Sequence, residues 1–365
     1  MNPSFERLMA AATRLTRTGN LQAATAAIQA ALGRAKAPAR QAAFAAGDET
    51  DAIDVQAREV AVDPAPAPAP ANAPPPAAQP RPQAGEFTDG TYTDANGTLA
   101  YKLFSPPGSS IGTKLPLVMM LHGCTQNPDD FAAGTGMNDA ALDHGYFVLY
   151  PAQAQRANPS RCWNWFKHNH QQRGRGEPAL LAAMTRQVID RCPIDPQRVY
   201  VAGLSAGGAM AAILGEVYPE LFAAVGVHSG LPTGAANDMP SAFTAMKGGA
   251  AARAAATHSG PPTIVFHGDQ DGTVHPVNGE RVASAASSRT AALTERVDNT
   301  NGRAATRHTF RDHEGRVVAE HWVVHGAGHA WSGGSLRGSY ADSQGPDATR
   351  EMLRFFAAHG RVVPS

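Results

Sequence analysis

Ser205 lies in a sequence context that is typical of a catalytic nucleophile. It is the centre of the pattern G-L-S-A-G, which follows the apolar run 199–202 and precedes a stretch with helical spacing. In a turn of this type between a strand and a helix, the strained backbone exposes the serine hydroxyl at the edge of a sheet. Gly203 and Gly207 fit such a turn because side chains there would collide as strand and helix fold back on each other. The pattern therefore predicts that Ser205 is a nucleophile.

A serine hydroxyl is a weak nucleophile, so a base must stand beside it. Of the 14 histidines, His329 lies in the loop H-G-A-G-H-A-W, just after the last apolar run, 322–324. On this glycine-rich loop the imidazole can reach over the edge of the sheet, and we predict that His329 is the base. His325 sits at the end of the strand, where a structural hydrogen bond is expected. Other histidines are expected to be structural turn residues (His122, His267) or solvated (His308, His313, His321).

The acid that orients the base is expected in T-I-V-F-H-G-D-Q-D-G-T-V-H-P, residues 263–276, just past another apolar run. We predict Asp271, which lies further into the loop, and we expect Asp269 to hold the turn. The chain order Ser205, Asp271, His329 is the order found in hydrolases whose nucleophile follows a strand and opens a helix.

Acyl transfer also needs hydrogen-bond donors for the oxyanion. One donor should be the backbone N–H of Ala206, the residue after the nucleophile. The second should come from the loop V-M-M-L-H-G-C-T-Q, residues 118–126, where Gly123 and Cys124 are candidates and Cys124 is preferred. The thiol of Cys124 has no base in a recognisable arrangement, so a packed or disulfide-bonded side chain is expected instead.

Three tryptophans lie close in sequence to these motifs. Trp163 and Trp165 follow Cys162 in a polar loop, and Trp331 follows His329 by two residues. Grouped aromatic side chains can form an apolar pocket for the acyl or alcohol part of a substrate, and ordinary core packing is the alternative. Glu177, which precedes Pro178, is expected only to begin a helix.

Composition and charge give no support for nucleic-acid binding or for membrane association. The formal net charge is zero, which gives no argument for a nucleic-acid or membrane-surface partner. No apolar run reaches the roughly 18 residues of a transmembrane helix. The N-terminus lacks the basic start and unbroken apolar core of an export signal, since Glu6, Arg7 and Arg14 interrupt it. Three cysteines are too few for a disulfide framework, and their redox state stays open.

The chain divides into three parts. Residues 1–36 carry apolar residues at helical spacing on both sides of Gly19-Asn20, which predicts a short helical hairpin. Residues 37–85 are rich in Ala and Pro, with P-A-P-A-P-A-P at 64–70, and we expect a disordered, extended linker. Residues 86–365 have the size of one catalytic domain.

The third part alternates apolar runs with helical patterns, which predicts an α/β domain with a mostly parallel sheet flanked by helices. The runs are 115–121, 146–150, 199–202, 223–227, 263–266 and 322–324. Ligands of open α/β sheets bind beyond the carboxyl ends of the strands, which is where the candidate residues lie.

A series of motifs in this third part resembles the esterase family that includes poly(3-hydroxybutyrate) depolymerases and, more distantly, feruloyl esterases. The motifs are H-G-C-T-Q (122–126), C-W-N-W-F (162–166), G-L-S-A-G-G-A-M (203–210), V-H-S-G (227–230), H-G-D-Q-D (267–271), G-H-A-W-S-G-G (328–334) and G-P-D-A-T-R-E-M (345–352). The resemblance runs from about residue 99 to residue 356.

The resemblance implies an α/β-hydrolase fold and a serine esterase that needs no metal or cofactor. It assigns the nucleophile to Ser205, the acid to Asp271, the base to His329 and the oxyanion donors to Cys124 and Ala206. Secreted members carry an export signal and a polymer-binding domain. Because neither is seen here, soluble hydroxyalkanoate oligomers or amorphous polymer are expected rather than crystalline polymer.

Two alternatives stay open at this point. One is an esterase for feruloyl-type substrates. The other is a protein that acts chiefly by binding a granule or a partner through residues 1–33. The family is mostly extracellular, whereas the missing export signal slightly favours the cytoplasm.

Overall fold

The computed structural model describes residues 84–95, 97–109, 112–249, 260–287, 292–297 and 302–361. The helical hairpin expected at 1–36 and nearly all of the linker expected at 37–85 lie outside these residues. Within the described ranges, none of the helices combines the length and apolar character that crossing a bilayer requires.

The described residues of the third part form a large sheet of ten strands, ordered β1-β2-β4-β3-β5-β6-β7-β10-β9-β8. Its strands are β1 (Glu86–Asp94), β2 (Gly97–Ser105), β3 (Leu115–Leu121), β4 (Phe147–Ala152), β5 (Ile194–Leu204), β6 (Ala224–His228), β7 (Thr263–Gly268), β8 (Ala292–Val297), β9 (Ala305–Arg311) and β10 (Val317–Val324). Two short strands, β11 (Trp331–Ser332) and β12 (Ala341–Asp342), form a second sheet. The six central strands, from β4 to β10 in this order, are parallel, and antiparallel strands flank them on both sides. Each of the six apolar runs predicted as strands overlaps one of these central strands, so the predicted α/β class is confirmed.

Helices cover both faces of the sheet. In chain order they are α1 (Pro128–Thr135), α2 (Met137–His144), α3 (Gly176–Arg191), α4 (Ala206–Val217), α5 (Met239–Met246), α6 (Val277–Ser287) and α7 (Ala348–Ala357), with a 3₁₀ helix at His168–Gln171. Their ends are fixed by local chemistry. Asn127 caps α1 by accepting the N–H of Asp130, and Asp347 caps α7 by accepting the N–H of Arg350.

Alternation along the strands divides the core into two layers. On β3, Leu117, Met119 and Leu121 pack on the side of α3 to α6, whereas Val118 and Met120 pack on the side of α1, α2 and α7. Because both faces are buried, the central strands are apolar throughout, as is usual for parallel sheets. This double cover leaves the ends of the strands as the places where polar side chains can be exposed.

Candidate active site

Ser205 is the single residue between β5 and α4, and its backbone is strained. Its φ is 58° and its ψ is −118°, a conformation that costs a non-glycine residue about 1–3 kcal/mol. Its N–H donates to the carbonyl oxygen of His228 at 2.8 Å, which ties the turn to the end of the neighbouring strand β6. The side chain is partly exposed, as the sequence predicted for this turn.

The two glycines of the turn have the predicted steric role. A Cβ atom at Gly203 would overlap the backbone of Gly207, and one at Gly207 would overlap the carbonyl oxygen of Leu121. The absence of side chains thus lets α4 start directly against the ends of β3 and β5.

Asp271 and His329 are in direct contact at this end of the sheet. The Oδ2 atom of Asp271 lies 2.7 Å from Nδ1 of His329. Since a carboxylate only accepts, Nδ1 carries the proton and Nε2 is left for another partner. The other carboxylate oxygen, Oδ1, accepts the backbone N–H groups of Thr273 and Val274, each at 2.9 Å.

The side chain of Asp271 is fully buried, with 0% of its surface exposed. Burial opposes its ionisation, but hydrogen bonds from His267, from His329 and from the backbone outweigh burial and hold the pKa of Asp271 well below its usual range. The carboxylate is therefore charged at neutral pH and can stabilise a protonated imidazole beside it.

Asp269 has a different environment, as predicted. Its carboxylate accepts the N–H of Gly326 at 2.7 Å and lies 3.0 Å from Nδ1 of His325. Nε2 of His325 in turn lies 2.8 Å from Oγ1 of Thr306. Both residues thus hold the loop that follows β10, and the structural roles expected for Asp269 and His325 are confirmed.

The candidate oxyanion donors Gly123, Cys124 and Ala206 differ in whether the backbone N–H already donates a hydrogen bond. The N–H of Gly123 donates to Oε1 of Gln126 at 2.9 Å. Among the described residues, no acceptor takes the N–H of Cys124 or that of Ala206, the first residue of α4. These two N–H groups are therefore available to an oxygen placed at the turn. The Ser205 hydroxyl likewise makes no hydrogen bond to a described residue, and catalytic hydrogen bonds often tighten only when substrate is bound.

The loop that carries Cys124 is fastened to the loop between β4 and α3. Cys124 forms a disulfide with Cys162, and Cys192 is a free thiol, which settles the state of the three cysteines. The N–H of Thr125 donates to the carbonyl oxygen of Ser160 at 2.7 Å. The indole N–H of Trp163 donates to the carbonyl oxygen of His122 at 3.1 Å. These contacts fix the backbone around Cys124.

The three tryptophans are core residues rather than exposed walls of a pocket. Trp163 is 0% exposed, Trp165 6% and Trp331 1%. Trp331 stacks on the ring of His228 and donates its indole N–H to Thr349. Fully covered side chains cannot meet a substrate in this conformation, so the pocket predicted from Trp163, Trp165 and Trp331 disagrees with the structure. The alternative of core packing describes them.

Two polar residues have roles that the sequence did not indicate. Glu177 lies in the first turn of α3, close to the expected helix start, but its carboxylate is also buried and accepts from Nε2 of Gln153 at 2.6 Å and from the N–H of Asn164 at 2.7 Å. His321 was expected to be solvated, and this is wrong. It is 4% exposed because β10 begins at Val317, well before the apolar run, so that His321 lies within a central strand that is covered on both faces.

His228 and Tyr340 also lie at the site, although the sequence analysis predicts no functional role for either residue. Burial, together with the nearby rings of His267 and His329, lowers the pKa of His228 to about 3. Tyr340 is 46% exposed, and its ring centroid lies 6.4 Å from that of His329 in an edge-on arrangement. In the sequence, only its position near the H-A-W loop could have suggested this contact.

No group of three or more His, Cys, Asp or Glu side chains within the described residues is placed to hold a metal ion. The arrangement offers a partly exposed serine on a strained turn, a buried carboxylate bonded to an imidazole, and two unpaired N–H groups. These are the components that acyl transfer requires.

A family model described as esterase PHB depolymerase matches residues 99–312. Poly(3-hydroxyalkanoate) depolymerase C of Paucimonas lemoignei is 33% identical over 241 residues, which are 62% of this chain and 58% of that protein. Poly(3-hydroxybutyrate) depolymerase of Ralstonia pickettii is 30% identical over 242 residues, which are 61% of this chain and 49% of that protein. The chain thus spans about half the length of these curated relatives.

Among solved structures, an acetyl xylan esterase from Aspergillus awamori has a TM-score of 0.59 with this chain at 18% sequence identity. The alignment covers 74% of this chain and 99% of that one. The likeness establishes the α/β-hydrolase fold predicted from the sequence.

Proposed function

The chain belongs to the esterase PHB depolymerase family, and we propose that it is a serine hydrolase that cleaves the ester bonds of poly- or oligo-(3-hydroxyalkanoates). The observation that carries this proposal is the 2.7 Å contact between Asp271 and His329 at the same end of the sheet as the strained Ser205 turn.

In the proposed reaction, the Ser205 hydroxyl attacks the ester carbonyl while Nε2 of His329 takes its proton. The hydrogen bond from Nδ1 to Asp271 keeps the imidazole in the required tautomer, and the buried charge of Asp271 stabilises the imidazolium that forms. The protonated His329 then gives its proton to the leaving alcohol, and the acyl group stays on Ser205.

The negative charge that develops on the carbonyl oxygen needs fixed donors. The unpaired N–H groups of Cys124 and Ala206 are suited to this task, and the contacts that fasten the Cys124 loop would hold its N–H in place without reorganisation. Water activated by His329 next attacks the acyl-enzyme and releases the hydroxy acid and free Ser205. The two steps together consume one water molecule for each ester bond that is cleaved.

The substrate class rests on the family and on its relatives. Both relatives named above are called depolymerases of poly(3-hydroxyalkanoates) or poly(3-hydroxybutyrate). In such a substrate each ester joins a hydroxy acid to the hydroxyl group of the next unit, so one hydrolysis yields a carboxylate end and a hydroxyl end.

The proposed mechanism is tested by replacing the nucleophile. Ser205→Ala is expected to lower kcat on p-nitrophenyl butyrate by about 10⁶-fold and to abolish covalent labelling by a fluorophosphonate probe. Ser284→Ala, which changes an exposed serine on α6, serves as the control and should keep both. Esterase activity retained in Ser205→Ala would refute the proposal.

The substrate class is tested separately with the unmodified protein. kcat/KM for soluble 3-hydroxybutyrate oligomers is expected to exceed kcat/KM for methyl ferulate. The reverse order would assign the enzyme to feruloyl-type esters while leaving its serine mechanism intact.

A further inference from the structure

His267 faces the turn that carries Asp271. It is the second-last residue of β7, and it is 1% exposed. Its Nε2 atom lies 2.8 Å from the carbonyl oxygen of Val274 and 3.4 Å from Oδ2 of Asp271. Because a carbonyl oxygen only accepts, Nε2 must carry a proton. One N–H group therefore faces both the start and the end of the segment from Asp271 to Val274.

The ring of His267 is held firmly in this position. It lies under α6, where a Cβ atom at Gly279 would be 2.8 Å from its Nδ1 atom and 3.0 Å from Nε2 of His321. Nδ1 of His267 is buried and has no hydrogen-bond partner among the described residues, and the same is true of Nε2 of His321. Within the part of the chain that the structure describes, the polar contacts of the His267 ring are thus those directed at the acid turn.

We propose that His267 is a positioning residue for the Asp271–His329 pair. Its Nε2–H holds Oδ2 of Asp271, the same oxygen that accepts from His329, and so fixes the rotation of the carboxylate. It also closes the acid turn through the carbonyl oxygen of Val274. The inference deepens the proposed function and rests on it, since it concerns the acid of the same site.

The Nε2–H group of His267 also affects the base, His329. A carboxylate that receives one more N–H is a weaker acceptor toward its other partners, so His267 limits how strongly Asp271 holds the protonated form of His329. Other titratable groups surround this turn: His321 on β10, His308 beyond it on β9, and His228 on β6. None of them would be changed in the experiment below.

Two substitutions separate the hydrogen bond from the packing. His267→Leu fills a similar volume without a donor, and His267→Gln can place an amide N–H where Nε2 stands. His267→Leu should lower kcat on p-nitrophenyl butyrate by roughly 10- to 100-fold, with KM within about twofold of the unmodified enzyme. It should also move the acidic limb of the kcat/KM profile to higher pH. His267→Gln should recover most of kcat and the original limb.

Two outcomes would overturn the inference. One is an unchanged kcat and an unchanged acidic limb in His267→Leu. The other is equal loss in the Leu and Gln variants with no movement of the limb, which would mean that the ring only fills space. If His267→Leu does not fold, His267→Asn replaces it, because its amide is too short to reach Oδ2.

A double substitution distinguishes this inference from the proposed function. In an Asp271→Asn background, His267→Leu should have little further effect on kcat, because the carboxylate that it positions is gone. An independent, multiplicative loss would overturn the positioning role. The proposed function is tested by Ser205→Ala and by the substrate comparison, and neither result depends on the His267 variants.

Discussion

The backbone N–H of Ser332 donates to Nε2 of His228 at 2.9 Å. The carbonyl oxygen of the same histidine accepts the N–H of Ser205. One residue at the end of β6 thus connects the turn of the candidate nucleophile to the loop of the candidate base. The ring of His228 is stacked between Phe266 and Trp331, which fixes its orientation.

Removing the ring of His228 should weaken the fold and the site together. His228→Leu leaves the N–H of Ser332 buried without an acceptor, and we expect the free energy of unfolding to fall by about 1–3 kcal/mol. His228→Gln, whose side-chain oxygen can accept that N–H, should lose less. Urea denaturation of both variants checks the order, and equal stability of the Leu variant and the unmodified protein would contradict it.

The buried histidines predict how stability depends on pH. Burial lowers the pKa of His122 from 6.5 to about 4, and that of His228 and His321 to about 3. Below pH 6.5 the unfolded chain therefore binds protons that the folded chain does not. The free energy of unfolding should fall as the pH drops from 6.5 toward 4, by up to about 1.4 kcal/mol per pH unit for each histidine.

Chemical denaturation at pH 7 and pH 5 measures this slope. His321→Gln should make the slope shallower, because one fewer buried histidine then contributes to it. A slope that is the same in His321→Gln as in the unmodified protein would contradict the assignment. The lowered pKa of Asp271 adds a loss of stability only below its ordinary value of 3.8.

The pattern of apolar runs in the sequence predicts the central strands and the proximity of Asp271 and His329. Apolar runs between helical segments mark all six parallel strands. Asp271 and His329 each follow the end of one of these strands, so both are expected at one edge of the sheet. The order of the strands, with β4 between β2 and β3, depends on pairing across the sheet, which no local pattern specifies. The same limit applies to the antiparallel edge strands β1, β2, β8 and β9.

The predictions that failed concern which way a side chain points. Trp331 lies two residues from His329, yet its indole turns into the layer of α1 and α7, where Phe131 meets it edge-on. His321 looks polar in sequence, but it stands on an inward position of β10 under α6. Proximity along a chain does not fix the direction of a side chain, and on a central strand that is covered on both faces even a polar position can be buried.

The two candidate acids can be told apart by matched substitutions. Asp271→Asn is expected to lower kcat by roughly 10⁴-fold, because the amide can no longer hold the required tautomer of His329. Asp269→Asn should keep most of kcat and mainly lower the thermal midpoint, since Asp269 contacts His325 and Gly326. Steady-state kinetics on p-nitrophenyl butyrate measures both. Full activity in Asp271→Asn together with loss in Asp269→Asn would reassign the acid.

Tyr340 is expected to contact the substrate. Its backbone is in the left-handed region, with φ at 52°, which is costly for a bulky residue, and its ring is 46% exposed beside His329. Its hydroxyl lies 3.4 Å from that of Thr125, next to the candidate oxyanion donor Cys124. The ring thus spans the gap between the base and the oxyanion loop, where it can cover an apolar part of an ester.

Tyr340→Ala should therefore lower kcat/KM for p-nitrophenyl octanoate by about 10-fold or more, because an aromatic contact of this size contributes roughly 1.5–3 kcal/mol. The same substitution should change kcat/KM for p-nitrophenyl acetate by much less, since the short acyl group has little surface for the ring to cover. Tyr340→Phe keeps the ring and should behave like the unmodified enzyme with both esters. An equal loss on acetate and octanoate would mean that Tyr340 acts on His329 or on the loop instead of on the substrate.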